Sequence, residues 1–267
     1  MSVTLHGHTA GFSLSQRFQH SMQVALIADM HGNAVALRTV LRQIQEENPD
    51  RIVCLGDVAA NGPQPSATLE LVRELGCPVV MGNTDEALLT PEQIDSNDQY
   101  PDRIKDLLRW AAERLSDEHI NSVRAFEPTV ELQLSEDRQL LCYHGSPRSH
   151  SEGIGSTTPE DELDEWFADT DAEVLAGGHT HIQLFRQHND AIVLNPGSVG
   201  LARELNRSAE TMVDSSRAEY ALLTDENGSL DVKLQRTRVD GEAVREAAHE
   251  SEMPHANWWA EGWPVGQ

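Results

Sequence analysis

The sequence has almost no lysine. Of 20 cationic residues in 267, only Lys105 and Lys233 are lysines, against 44 acidic residues and a formal net charge of −24. A field of that sign repels polyanions and leaves no basic stripe, which argues against a nucleic-acid partner. No apolar run reaches the roughly 18 residues of a membrane span, so no membrane partner is expected. Cysteine is scarce: Cys54, Cys77 and Cys142 form no paired framework, and two of them sit in apolar runs. A chain of this length buries a core without disulfide staples, and a reducing cytoplasm is the expected compartment. Residues 1–21 lack a cationic start and an apolar stretch of about 7–15 residues, so they do not read as a secretory signal. They are expected to be a flexible extension. His6, His8 and His20 in it are either weak metal ligands or mobile surface histidines.

What is present is an alternation of short apolar runs with helical patterns. The runs Gln23–Ala28, Arg51–Leu55, Pro78–Met81, Gln139–Tyr143, Glu173–Ala176 and Ala191–Leu194 each end near Gly, Asp or Asn and read as strands buried on both faces. Helices are expected over Asn33–Glu47, stopped by Asn48-Pro49, over Ser66–Leu75, closed by Gly76, over 102–115, and shortly after Ser116. Thr158-Pro159 reads as a helix start with Thr158 as the cap. Asn227-Gly228 between Glu219–Thr224 and Asp231–Thr237 signals a hairpin. Past residue 240 the composition turns acidic and the apolar period fades. One domain over 22–240 is therefore expected, with 241–267 as a tail whose Trp258, Trp259 and Trp263 dock on the chain's own body or on a partner.

The unusual residues collect where strands end: Asp29-Met30-His31, Gly56-Asp57, Gly82-Asn83, His144-Gly145 and Gly178-His179-Thr180-His181. In open α/β sheets, ligands bind beyond the carboxyl ends of strands, so five strands deliver oxygen and nitrogen donors to one edge. Residues two apart in extended chain point the same way, which pairs Asp29 with His31 and His179 with His181. Imidazoles with carboxylates suit Mn, Fe, Zn or Ni. Seven donors (Asp29, His31, Asp57, Asn83, His144, His179 and His181) exceed one tetrahedral site and match two divalent ions sharing a carboxylate, with manganese the first choice. Two such ions about 3.5–4 Å apart turn a bridging water into hydroxide at neutral pH and clamp phosphoryl oxygens.

This order of motifs resembles the calcineurin-like metallophosphoesterase superfamily over about residues 22–237. Gly62-Pro63-Gln64-Pro65, His144-Gly145-Ser146-Pro147 and Asn195-Pro196-Gly197-Ser198 resemble its small bacterial and archaeal phosphoesterase branch. The resemblance implies an α/β fold, a four-layer αββα sandwich of two mixed sheets flanked by helices. It implies that Asp29, His31 and His181 hold one metal, Asn83, His144 and His179 the other, and that Asp57 bridges. Asp57 and His144 are the catalytic candidates. The implied activity is hydrolysis of a small phosphomonoester or phosphodiester. Alternatives are a dinucleoside-polyphosphate hydrolase, a protein phosphatase, or a non-enzymatic binding scaffold like the retromer subunit that resembles this branch. Oligomeric state is not legible.

One position departs from the family pattern. Many members carry His directly after the Asn of the third motif, where it protonates the leaving group; here Thr84 stands there. Loss of a general acid costs typically about 10²–10⁴ in rate. Metal-bound water or His150 are the substitutes considered. Asp85 reads either as an orienting partner of a ligand or as a helix-start acid. Asn83, Arg148 and Arg203 are the candidate phosphate contacts, the two arginines having surface ion pairs as their alternative. Residues 149–158, with Gly153 and Gly155, are expected to form a mobile cover.

Overall fold

The computed structural model describes residues 21–98, 100–206, 211–214 and 216–263. The histidines of the first 20 residues lie outside them. The first half runs β1 (Ser21–Ile27), α1 (Ala34–Glu47), β2 (Arg51–Cys54), α2 (Pro65–Leu75), α3 (Asn83–Leu89), α4 (Asp102–Arg114) and α5 (Asp117–Arg124). The second half runs β3 (Val130–Ser135), β4 (Arg138–Cys142), α6 (Glu160–Trp166), β5 (Val174–Ala176), β6 (Leu184–His188), β7 (Ala191–Asn195), β8 (Arg203–Asn206), β9 (Thr211–Asp214), β10 (Arg217–Glu226), β11 (Ser229–Arg238), α7 (Gly241–Glu250) and α8 (Ala256–Glu261).

Two mixed sheets face each other, ordered β11-β10-β1-β2 and β3-β4-β5-β7-β6. Strand alternation explains the layering. Val24 and Leu26 of β1 pack with Leu140, Val174 and Leu194 of the other sheet. Ala25 and Ile27, pointing the opposite way, pack with Leu37, Val40 and Ile44 of α1. On the far face of the second sheet, Leu141, Leu175 and Val193 meet Leu163 of α6 and Phe167. The result is helix, sheet, sheet, helix, the fold that the resemblance implies.

Local chemistry sets the elements. Asn33 caps α1 by accepting from the Ala36 N–H at 3.0 Å. Asn48 ends it in the left-handed region at φ 51°, and Pro49 blocks continuation. Asn227-Gly228, both at positive φ, close a two-residue hairpin in which Glu226 pairs with Ser229.

Three expectations change. Pro78–Met81 makes only single bridges, Val79 to Cys54 and Val80 to Glu127, because the chain turns straight into α3. Thr158 does not cap α6. Its hydroxyl accepts from the Gly155 N–H at 2.9 Å, and Pro159 occupies the cap position. Past residue 240 the chain folds into α7 and α8 where no apolar period was evident. The buried face of α7 is only Gly241, Val244 and Ala248, too small an apolar stripe to stand out in an acidic sequence. Trp259 and Trp263 are buried in the core against this chain's own helices. Among the described residues, no helix is long and apolar enough to cross a membrane.

Candidate metal centre

All seven expected donors meet at one edge of the sandwich, and the backbone that presents them is strained. Five of the seven, Asp29, His31, Asp57, His179 and His181, have φ between 45° and 67°. Non-glycine residues rarely adopt this region, and each such residue costs on the order of 1–3 kcal/mol. Loop-to-loop hydrogen bonds hold it in place: Asp29 N–H to Gly56 O at 3.0 Å, His31 N–H to Asp57 O at 2.9 Å, and Gly178 N–H to His144 O at 2.8 Å. Two close approaches demand glycine. A Cβ on Gly82 would sit 2.1 Å from Asp57 Oδ1, and one on Gly62 would sit 1.9 Å from His31 O.

The imidazoles are turned by backbone carbonyls. His31 Nδ1 contacts Ala60 O at 3.1 Å, His144 Nδ1 contacts Leu55 O at 2.6 Å, and His181 Nδ1 contacts Leu201 O at 2.8 Å. A carbonyl only accepts, so each Nδ1 carries the hydrogen and each Nε2 faces inward. His31 Nε2 and His181 Nε2 lie 2.9 Å apart, an arrangement of two acceptors that calls for a cation. Asp29 Oδ1 is buried beside them without a hydrogen-bond partner, 3.4 Å from His181 Nε2. Asp57 Oδ2 lies between the two halves, 3.6 Å from His31 Nε2 and 3.5 Å from His144 Nε2. Asn83 Oδ1 faces His144 Nε2 at 3.2 Å and His179 Nδ1 at 2.9 Å. Two groups could each hold an ion: Asp29 with His31 and His181, and Asp29 with Asp57 and His144. The donor set and the orphaned carboxylate oxygen fit divalent metal ions.

The electrostatics agree. Burial opposes the charge on Asp57, but His144 and His31 beside it hold its carboxyl far below the usual range. Burial likewise opposes charge on His144, yet Asp57 and Asp29 push its imidazole up to about 10. His31 goes the other way, down to about 4, because burial outweighs the attraction of Asp57.

A ring of supporting groups surrounds the donors. Asp85 accepts from the N–H groups of Asp57 (2.7 Å), Val58 (2.9 Å) and Gly82 (3.3 Å), and it also occupies the first turn of α3, so both of its sequence readings hold. Burial and the nearby Asp57 charge push it up to about 7. Ser198 Oγ donates to Asp29 O at 2.7 Å, and Asn195 Nδ2 donates to Gly178 O at 2.5 Å. Tyr100 Oη accepts from Asn83 Nδ2 at 3.0 Å, which turns the amide oxygen toward the histidines. Sequence reasoning found no role for Tyr100, because it lies 17 residues from its partner with no motif around it.

This architecture has relatives. The family model described as the calcineurin-like phosphoesterase superfamily domain matches residues 22–217. The chain belongs to that superfamily. It is 27% identical over 207 residues to the uncharacterized protein MJ0912 of Methanocaldococcus jannaschii, covering 72% of this chain and 82% of that one. It is 36% identical over 126 residues to a symmetrical bis(5′-nucleosyl)-tetraphosphatase of Pectobacterium atrosepticum, covering 46% of this chain and 43% of that one. The crystal structure of a metallophosphoesterase from Sphaerobacter thermophilus shares the fold with a TM-score of 0.68 at 22% identity, over 92% of this chain and 100% of that one. The protein is a phosphoric ester hydrolase, and its buried Asp and His clusters suit the divalent ions such enzymes use.

The remaining site residues of this phosphoesterase divide. A cavity of about 430 Å³ opens over the centre, lined by His31, Asp57, Asn83, His179 and His181 and also by Thr84 and Arg203. Arg148 is not among its lining residues. It pairs with Glu152 (3.0 Å) and Glu165 (2.7 Å). His150 lies 3.5 Å from Glu86. The expected cover at 149–158 is pinned at its end by Arg186, whose Nη1 donates to Gly155 O and Thr158 O at 3.2 and 2.7 Å.

Proposed function

We propose that this phosphoesterase hydrolyses a small phosphomonoester or phosphodiester using two divalent transition-metal ions. Manganese is the first choice, and iron, zinc and nickel suit the same donors. The observation that carries the reading is the set of inward-facing Nε2 atoms of His31, His144 and His181 around the unpartnered Asp29 Oδ1. Asp29, His31 and His181 would hold one ion, and Asn83, His144 and His179 the other. The near-equal distances from Asp57 Oδ2 to His31 and His144 support Asp57 as the shared ligand. Such ions, when bound, lower the pKa of a shared water and screen the phosphoryl oxygens.

The chain's own residues set the rest. Arg203, in the cavity lining, offers a cation to the phosphate, and the Asn83 amide fixes its orientation. Arg148 would reach the phosphate only by leaving Glu152 and Glu165. Thr84 lines the cavity and its buried Oγ1 has no hydrogen-bond partner, so a rotation of the side chain would bring the hydroxyl to the substrate. A hydroxyl gives up no proton at neutral pH, so esters with good leaving groups are favoured over alkyl monoesters. The unpaired cysteines accord with a cytoplasmic setting. A second reading, cleavage of dinucleoside polyphosphates, draws on the tetraphosphatase relative.

The test is a side-by-side assay of p-nitrophenyl phosphate, its bis-ester and diadenosine tetraphosphate with manganese, before and after chelation. Metal-dependent turnover of the first two supports the main reading. Turnover of the dinucleotide alone supports the second, and turnover of none overturns both.

A further inference from the structure

Part of the lining of the cavity over the metal centre comes from residues 258–262, past the portion the family model matches, which ends at residue 217. Trp258, Trp259, Glu261 and Gly262 line the cavity together with His31 and His181. Trp259 is fixed. Its indole N–H donates to Asn61 O at 2.7 Å, and its ring stacks on Trp263 at 6.3 Å. Its neighbour Trp258 stays 40% exposed, one of three large apolar side chains so exposed among the described residues. The Arg103 guanidinium lies 5.3 Å from the Trp258 ring centroid.

Two further observations point to a ligand in this space. Asn61 Oδ1 and Thr84 Oγ1 have no hydrogen-bond partner, and both residues line the cavity. They are 8% and 3% exposed. Both atoms lie just beneath the cavity surface, so a side-chain rotation would present either one to a polar group held there. The cavity thus offers metal donors for a phosphate, two polar atoms nearby, and an open indole braced by an arginine.

Resting on the phosphoesterase reading above, we propose that α8 is the specificity wall of the active site. Trp258 takes a planar aromatic ring carried by the phosphoester, a nucleobase or an aryl group, while Asn61 and Thr84 hydrogen-bond the part that links ring to phosphate. Indoles favour flat rings through offset stacking and tolerate any ring identity, so the wall selects for aromaticity rather than for one base.

The test uses the full-length, manganese-loaded protein and its Trp258→Ala and Trp258→Phe variants. Three esters are compared: adenosine monophosphate for the base, phenyl phosphate for the aryl group, and glycerol phosphate as the ringless control. For Trp258→Ala, kcat/KM on the ring-bearing ester is expected to fall about 5- to 100-fold further than on the ringless one, mostly through KM. Trp258→Phe should restore most of it, which a merely structural role would not explain. A loss on adenosine monophosphate alone assigns the ring to a nucleobase, and a loss on both to any aromatic. Equal changes on all three esters, or none, overturn the proposal while leaving the hydrolase reading intact. If the wild type turns over none of these monoesters but hydrolyses bis-p-nitrophenyl phosphate, the phosphodiester reading stands; if it turns over neither, the functional reading fails. Calorimetric binding of adenosine monophosphate then judges the wall: weaker binding by Trp258→Ala supports it, and unchanged or absent binding overturns it.

Discussion

The metal centre and the helical wall of its cavity are made by different means. Six of the donors sit on short loops after strands, five of them at positive φ, Asn83 opens α3, and backbone hydrogen bonds between loops hold the loops in place. The wall comes from helical side chains, Ile104 and Leu107 of α4 and Trp258 and Trp259 of α8, fixed by packing and by one indole hydrogen bond. The first arrangement is rigid and intolerant, because moving one loop moves several donors. The second can change residue by residue without disturbing the chemistry. Substitutions in the two regions should therefore fail differently.

The largest effect is expected at the centre itself. Asp57→Asn should lower kcat by more than about 100-fold, beyond the about 10–100-fold typical of partners outside the ligand set. Steady-state assays with saturating manganese read it. Asp85→Ala frees three backbone N–H groups, of which one belongs to Asp57, and should weaken manganese binding by about 10–100-fold in a calorimetric titration. If that variant binds metal like the wild type, the centre is less dependent on its loops than the geometry implies. Gly82→Ala drives a methyl into Asp57 and should destabilise the fold by about 1–3 kcal/mol, seen as a lower melting temperature together with weaker metal binding.

Proton linkage gives a smaller, continuous effect. The His144 imidazole of the metal-free protein is pushed from 6.5 up to about 10, so the folded state holds a proton that the unfolded state releases first. Its contribution to stability is complete below about pH 6.5 and fades as pH rises toward 10. If His144 holds a metal as proposed, the ion displaces that proton, so manganese affinity should rise with pH across the same window, with about one proton released on binding. Titrations at pH 6.5 and 8.5 in two buffers of different ionisation enthalpy measure both. The smallest effect is expected between the two arginines. Arg203→Ala should raise KM several-fold, since Arg203 lines the cavity, and Arg148→Ala by less, since Arg148 lies outside that lining.

The same contrast explains what could be read without coordinates. Asp29, His31, Asp57, Asn83, His144, His179 and His181 are legible because each follows an apolar run and lies within three residues of a glycine, a local signature. The two-sheet fold is what the family resemblance carried by these motifs implies. Tyr100 and Asn61 carry no such mark; only the folded chain brings Tyr100 to Asn83 and Asn61 to Trp259. Strand β3 is missed because its Val-Glu-Leu-Gln-Leu alternation lies at a sheet edge, and β6 because charged and polar residues interrupt it. Helices α7 and α8 hide in acidic composition, although their tryptophans mark the region as one that packs.

The most direct measurement is hydrolysis of bis-p-nitrophenyl phosphate by one preparation, assayed as isolated, after exhaustive chelation, and after manganese is restored. Activity should vanish with the metal, return with it, and fail to return in Asp57→Asn. Turnover that survives complete metal removal, or that Asp57→Asn retains, would contradict a metal-dependent hydrolysis centred on Asp57.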